Sequence, residues 1–327
     1  MLNDKKRLKS NKKRGGIMTQ MHSSHGMNDV SRRKIYILTA ASGILVVAAT
    51  IIFSLHVLLL AAVSYVVAFI VEYLFAHFRK KPLDPAWMLT PMLFTLLLPP
   101  QFPWWMAAVG MFFGIFFGKA IFGGSGKYIF NPALVGALFL IVNFPIQMTQ
   151  EWINPKNPDL AAGPTALNAL NRGIQSAYSN WDLMIGQNAG TLGEVFRLGI
   201  IILGVVLILF KVISWKTPLI FISTVFIIYL VGGWIDGAIF GNALRSILTG
   251  GLLLGAFFFA TDPATSPKTN RGLILYGIGL GLLTVIIRIF ATFPEGVTFA
   301  IILMSAISPL LDKEVVEIKQ SEVTTNE

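Results

Sequence analysis

The chain has 327 residues, 54% of them hydrophobic and only 13% charged, with a mean hydropathy of +0.69. A soluble domain carries about 25% charged residues, so this composition excludes a water-soluble globule and places the apolar surface in lipid. There is no cysteine, which excludes disulfides and thiolate-held iron–sulfur or zinc sites, and His22, His25, His56 and His77 form no ligand-spaced cluster, so no metal site is predicted.

The net charge of +10 is concentrated at the start: residues 1–34 hold ten Lys and Arg against Asp4 and Asp29, which is +8, and leave +2 for the rest. A basic run can bind nucleic acid, but next to a membrane segment it sets topology and meets anionic lipid headgroups. We expect 1–34 to be a disordered cytoplasmic extension that touches anionic lipid, with no nucleic acid as partner.

Ten apolar segments follow. Residues 35–77 are long enough for two spans with a turn at Ser54–His56, and Arg79-Lys80-Lys81 closes the pair. Segments 86–99 and 104–121 are separated by Pro99-Pro100 and Pro103, and the glycine-rich junction Gly123-Gly124-Ser125-Gly126 precedes a short segment at 129–146. Residues 147–195 form the one long polar loop; spans are predicted near 196–213, 217–235, 241–260, 272–291 and 296–311, and the tail 312–327 is polar and charged. The predicted fold is all-α and polytopic. Its organisation is the extension 1–34, a first membrane repeat 35–146, the outer loop 147–195, a second repeat 196–311 and a cytoplasmic tail.

Two features support a repeat with short or broken helices. Gly114–Phe139 and Gly279–Met304 each run from a glycine-spaced helix through a cation-Ile-Phe motif (Lys119-Ala-Ile-Phe; Arg288-Ile-Phe) and a Gly/Pro break into another helix. Upstream, Leu89-Thr90 and Pro99-Pro100 echo Leu248-Thr249 and Asp262-Pro263.

With the N-terminus inside, the inner loops 78–85, 122–128, 211–217 and 261–271 carry Arg79, Lys80, Lys81, Lys127, Lys211, Lys216, Lys268 and Arg271. The outer loops carry chiefly Lys156, Arg172 and Arg197. The positive-inside rule therefore puts both termini in the cytoplasm of a cell-membrane protein and the 147–195 loop outside. Glu72, Lys119, Arg245 and Arg288 fall near span ends, where long cationic side chains snorkel, so no intramembrane proton relay is expected.

Four motifs could carry chemistry: FGGSGKYIFNPA (122–133), DLAAGPTAL (159–167), ATDPATSPKTNRG (260–272) and FPEG (293–296). The first is neither a Walker loop nor a dinucleotide fingerprint; as a turn, it would start a helix with Asn131 as cap and Pro132 at the first position. The third is rich in turn and cap residues, Thr165 in the second suits an N-cap, and Glu295 in the fourth suits a helix start.

Together these blocks, with LLLPPQFPWWMAAVG, Trp181-Asp182 and GQNAGTLGE, resemble the D subunit of Rnf-type electron transport complexes, related to the B subunit of the sodium-translocating NADH:quinone reductase. Their order and spacing agree with that family over about residues 30–312. The resemblance implies a membrane flavoprotein carrying FMN as a phosphoester on a threonine of an Asp-x-x-Ser-Gly-Ala-Thr motif, attached outside the cytoplasm by a flavin transferase. The matching stretch places the acceptor at Thr165 and the motif residues at Asp159 and Gly163, with Ala162 and Pro164 departing from the pattern. It also implies a second, non-covalent flavin such as riboflavin, for which the breaks at Asn131 and Asp262 are the candidates, because unwound backbone lining a cavity is where membrane proteins hold polar ligands. The implied function is electron transfer within a larger ion-translocating oxidoreductase complex, coupled to Na⁺ or H⁺, with iron–sulfur and dinucleotide sites on partner subunits. An exporter of electrons to extracellular flavoproteins and a urea-type solute channel are the alternatives.

Overall fold

The computed structural model describes residues 29–149, 152–155, 165–171, 178–291 and 296–325, the last with side chains to residue 312. All regular structure among them is helical. Residues 1–28, where the lipid-binding extension was expected, lie outside the described residues, as does Glu295. Helix α1 (Asp29–Ile52) begins inside the predicted extension, so Asp29–Lys34 are its first turns.

A three-residue turn joins α1 to α2 (His56–Phe78), at the predicted place. A single turn of 3₁₀ helix, Pro85–Met88, leads into the short α3 (Leu89–Leu96); Asp84 caps it by accepting the Ala86 N–H at 3.0 Å. Then come α4 (Trp104–Ile115), α5 (Pro132–Asn143), α6 (Pro145–Thr149), α7 (Ala166–Asn171), α8 (Asn180–Ile185) and α9 (Arg197–Leu209). The remaining helices are α10 (Lys216–Ile235), α11 (Gly237–Phe240), α12 (Ala243–Leu248), α13 (Leu252–Leu254), α14 (Asn270–Phe290) and α15 (Val297–Thr325).

The ten apolar segments divide three ways. Among the described residues, only α1 from Arg32, α2, α10 and α14 have the length and hydropathy to cross a membrane as single helices. Four are shorter apolar helices: 104–120, 132–143, 197–209 and 297–312. The other two, predicted at 86–99 and 241–260, are broken into pieces. The break in the second comes at Thr249-Gly250-Gly251, where Gly250 takes φ +65°, a conformation that glycine adopts without strain. The tail, expected only to be polar, continues α15 as helix to Thr325.

α4 packs on α2 and α5, and α14 packs on α10 and α15. Two helices widen at their ends into a π turn, Phe116–Ala120 after α4 and Gly255–Phe259 after α13, each immediately before a non-helical break. Several hydroxyls in the apolar segments donate one turn back along the chain: Thr39 to Ile35 O, Ser64 to Leu60 O and Thr261 to Phe257 O, at 2.7–2.8 Å. An apolar solvent offers them no other acceptor.

Hydrogen bonds show which loops share a face. Arg79 at the end of α2 donates to Ala120 O, Tyr128 reaches Asp262, Lys216 Nζ donates to Asn270 Oδ1 at 2.7 Å, and the Lys268 N–H reaches Asp312. These bonds group the loops that the charge count put on one side. At the other end His56 Nε2 meets Phe102 O at 3.0 Å, and Leu192 and Gly193 bond Leu98 O and Leu96 O.

α4 and α5 approach each other closely. A Cβ at Gly114 would lie 2.4 Å from Pro132 O and 3.0 Å from the Gly136 backbone, so the helices touch backbone to backbone. Gly114→Ala should force them apart and lower stability by about 1–3 kcal/mol. Gly237→Ala, whose new Cβ would meet nothing within 4 Å, should be nearly neutral. Thermal unfolding of the detergent-solubilised variants measures both.

Candidate functional site

The breaks at 122–131 and 261–269 meet. Asn131 has extended backbone (φ −60°, ψ 123°), and its Oδ1 accepts the Ala133 N–H at 3.0 Å, so it caps α5 with Pro132 in the first position, as its residue types predict. Its Nδ2 donates to Asp262 Oδ2 at 2.7 Å. Tyr128 Oη donates to the same oxygen at 3.2 Å, and the Ala264 N–H donates to Asp262 Oδ1 at 3.0 Å. The Asp262 carbonyl in turn accepts from Ser266 Oγ at 2.8 Å and from the Ser266 N–H at 2.9 Å. One buried carboxylate thus ties a loop of each half to the other.

Beneath this junction lies an ion pair that the sequence reading missed. Lys119 Nζ is 2.5 Å from Glu72 Oε1, with side-chain exposures of 1% and 9%. Snorkelling was expected of Lys119 and Arg288; both are instead buried. Arg288 donates from Nη1 to Ser246 O at 2.8 Å and from Nη2 to Thr249 O at 3.0 Å. It therefore caps the carbonyl end of α12, where the helix dipole favours a cation. Lys119 and Arg288 occupy matching places in the two cation-Ile-Phe motifs. The first is neutralised by a carboxylate and the second by helix-end carbonyls.

On the opposite face the GQNAGTLGE stretch forms a strap. Its Leu192 and Gly193 N–H groups bond Leu98 O (3.0 Å) and Leu96 O (2.7 Å), carbonyls at the end of α3. A Cβ at Gly193 would lie 2.7 Å from both Leu96 Cβ and Leu254 Cδ2, so the strap fits where α3 and α13 converge. Arg197, 1% exposed, holds the strap by donating from Nη1 to Asn188 Oδ1 at 2.7 Å and to Leu183 O at 2.8 Å. The motif showed that this stretch is distinctive, but nothing in the residue types showed that Arg197 would point inward.

Of the predicted attachment motif, Asp159 and Gly163 lie outside the described residues. Thr165 stands directly before α7 and is 6% exposed. α7 and α8 both pack on α12. Leu170 of α7 lies against Gly241, where an added Cβ would come within 2.9 Å of its Cδ1. Thr165 is therefore separated along the chain from the Asn131–Asp262 junction but linked through α12 to the Arg288 cap.

At the face that gathers the loops 78–85, 122–128, 211–217 and 261–271, Asp312 closes α14. It accepts the N–H groups of Lys268 (3.0 Å) and Thr269 (3.0 Å) and the Thr269 hydroxyl (2.8 Å), while Thr269 Oγ1 caps the Gly272 N–H. Burial opposes its ionisation, but these hydrogen bonds and Lys268 outweigh it and hold the carboxyl below its ordinary value. A depressed pKa contributes stability that is present above the ordinary carboxylate value of about 3.9 and is lost as pH falls through the folded value. Asp312→Asn should therefore lower Tm at neutral pH and narrow the gap to the parent as the solution is acidified below about pH 4, read by thermal unfolding against pH.

Breaking the buried pair should cost more. Glu72→Gln leaves Lys119 without a counter-charge and should destabilise by about 3–5 kcal/mol, whereas the double variant Glu72→Gln/Lys119→Met should recover most of that. The comparison of the two melting temperatures checks it.

Long apolar helices, paired breaks and charges buried within the helical core define a polytopic all-α membrane protein with discontinuous spans. The chain belongs to the NQR2, RnfD, RnfE family, which matches residues 18–320. It is similar to the D subunit of the ion-translocating oxidoreductase complex of Stutzerimonas stutzeri, 34% identical over 273 residues (74% of this chain and 77% of that one). It is 36% identical over 268 residues to the D subunit of the Na(+)-translocating ferredoxin:NAD(+) oxidoreductase complex of Acetobacterium woodii, covering 80% and 82%. It is also 36% identical over 266 residues to the B subunit of the Na(+)-translocating NADH-quinone reductase of Ectopseudomonas mendocina, covering 78% and 66%.

Proposed function

We propose that this chain is the D-type membrane subunit of an ion-translocating oxidoreductase complex, inactive alone, that passes electrons through FMN attached to Thr165 while the complex moves Na⁺ or H⁺. The observation that carries this reading is the family match across 18–320 together with a threonine acceptor in the long loop. The charge count puts both termini in the cytoplasm and that loop outside, within reach of a transferase that acts there. Dinucleotide and iron–sulfur chemistry falls to partner subunits.

The residues present fit the group in their chemistry. A phosphoester needs a hydroxyl, and Thr165 supplies one at the head of α7. Thr165 is 6% exposed, so attachment by the transferase is expected to precede the settling of 165–171 against α12. When bound, FMN supplies reversible one- and two-electron chemistry. The chain's own part is to hold the acceptor segment, through Leu170 against Gly241, on a helix whose other end Arg288 fixes. A second flavin, such as riboflavin, is placed against the Asn131–Asp262 junction. There the side chains are engaged with each other, so unwound backbone is what such a ligand would meet.

Co-expression with a flavin transferase should give a band that fluoresces after denaturing electrophoresis, and Thr165→Ala should be dark. Adding the transferase to the already folded, unmodified protein should label it several-fold more slowly. A dark parent band, or a bright Thr165→Ala band, would contradict the assignment.

A further inference from the structure

The flavin reading leaves the glycine-rich hairpin between the first π turn and α5 without a role. Its base is anchored: Arg79 from the end of α2 and the Gly123 N–H both donate to Ala120 O, and the Gly124 N–H donates to Lys119 O at 3.2 Å. Its tip is a tight turn closed by the Lys127 N–H on Gly124 O at 3.2 Å. Inside that turn the N–H groups of Ser125 and Gly126 donate to no acceptor among the described residues, and Ser125 Oγ is sealed from solvent with no partner. Gly126 takes φ +76° directly after Ser125 at negative φ, the alternation that turns successive N–H groups toward one point. A Cβ at Gly124 or Gly126 would meet nothing within 4 Å, so the backbone of the turn is uncrowded on that side.

Cations flank the turn, and the Asp262 carboxylate beyond it is already held by Tyr128 and Asn131. Arg79, Lys80 and Lys81 end α2, and Lys127 lies over the hairpin, its Cδ 3.1 Å from where a Gly123 Cβ would stand. Lys80 is held in the left-handed region (φ 52°), which lysine adopts only at some cost. The nearby acids are engaged: Glu72 with Lys119, and Asp84 with the Ala86 N–H. Two N–H groups and an unpartnered hydroxyl, with the Lys127 side chain alongside, make a set of donors. Such a set suits the oxygens of a phosphoryl group and offers little to a cation. We propose that the Ser125–Lys127 turn, backed by the basic end of α2, is a binding site for a phosphoryl group, carried by an anionic phospholipid headgroup or by a free phosphate ester.

Native mass spectrometry of the full chain in neutral detergent with phosphatidylglycerol tests it, together with phosphorus NMR titration using inorganic phosphate. One phosphatidylglycerol should stay bound, and Ser125→Ala/Lys127→Gln should weaken it about tenfold, the loss expected for charge-assisted hydrogen bonds. Lys5→Gln/Lys6→Gln, in the basic N-terminal run, should not. If inorganic phosphate alone binds with the same sensitivity to the double substitution and displaces the lipid, a free phosphate ester is the ligand; if it does not displace it, the headgroup is. Should the double variant misfold, Ser125→Ala alone, with an unchanged melting temperature, should still weaken binding about threefold. Binding of neither probe, or binding that these substitutions leave unchanged, overturns the proposal.

Discussion

Every helix break in this chain faces one constraint: backbone N–H and C=O groups freed inside an apolar solvent must be satisfied by the protein itself. The structure meets it by making each break the partner of something distant in sequence. Asp262 gathers Asn131, Tyr128 and the Ala264 N–H, joining the breaks at 122–131 and 261–269. Arg288 covers the carbonyl end of α12. The strap at 186–195 supplies N–H donors to the carbonyls that α3 leaves at its end. Removing any of these leaves polar groups that lipid cannot solvate, at about 1–3 kcal/mol for each buried group left unpaired.

This explains why so few of the spans are full-length helices. A chain that has to place polar groups at defined depths cannot do so with uninterrupted apolar helices, whose backbone is closed on itself. The π turn Phe116–Ala120 carries Lys119, which pairs with Glu72. The two halves then diverge where chemistry requires it. The first carries an ion pair, and the second carries an arginine that donates to helix-end carbonyls.

Much of this was legible in the residues. Hydrophobic length located α1, α2, α10 and α14, and the Ser54–His56 turn, because long apolar runs have one solution in lipid. Asn131-Pro132 announced the α5 cap, since those residue types at those positions favour only a helix start. Asp262 and Asn131 could each be flagged as a break. That they bind one another across 131 residues could not, because no local rule couples them. The burial of Lys119 and Arg288 was illegible for a related reason. An end-located cation snorkels by default, and only the tertiary partners, Glu72 and the α12 carbonyls, reverse that preference. Thr165 stood out only through the family resemblance; its composition alone describes an ordinary helix cap.

The account makes α12 the link between the two kinds of site, capped by Arg288 at one end and carrying the Thr165 segment near the other. Its central claim is that this arrangement presents a threonine-linked flavin. Peptide mass mapping of the chain purified from its native membrane tests that most directly. The account predicts that the peptide containing Thr165 carries the mass of FMN less one water. An unmodified Thr165 peptide, with flavin absent or linked to another residue, would contradict it.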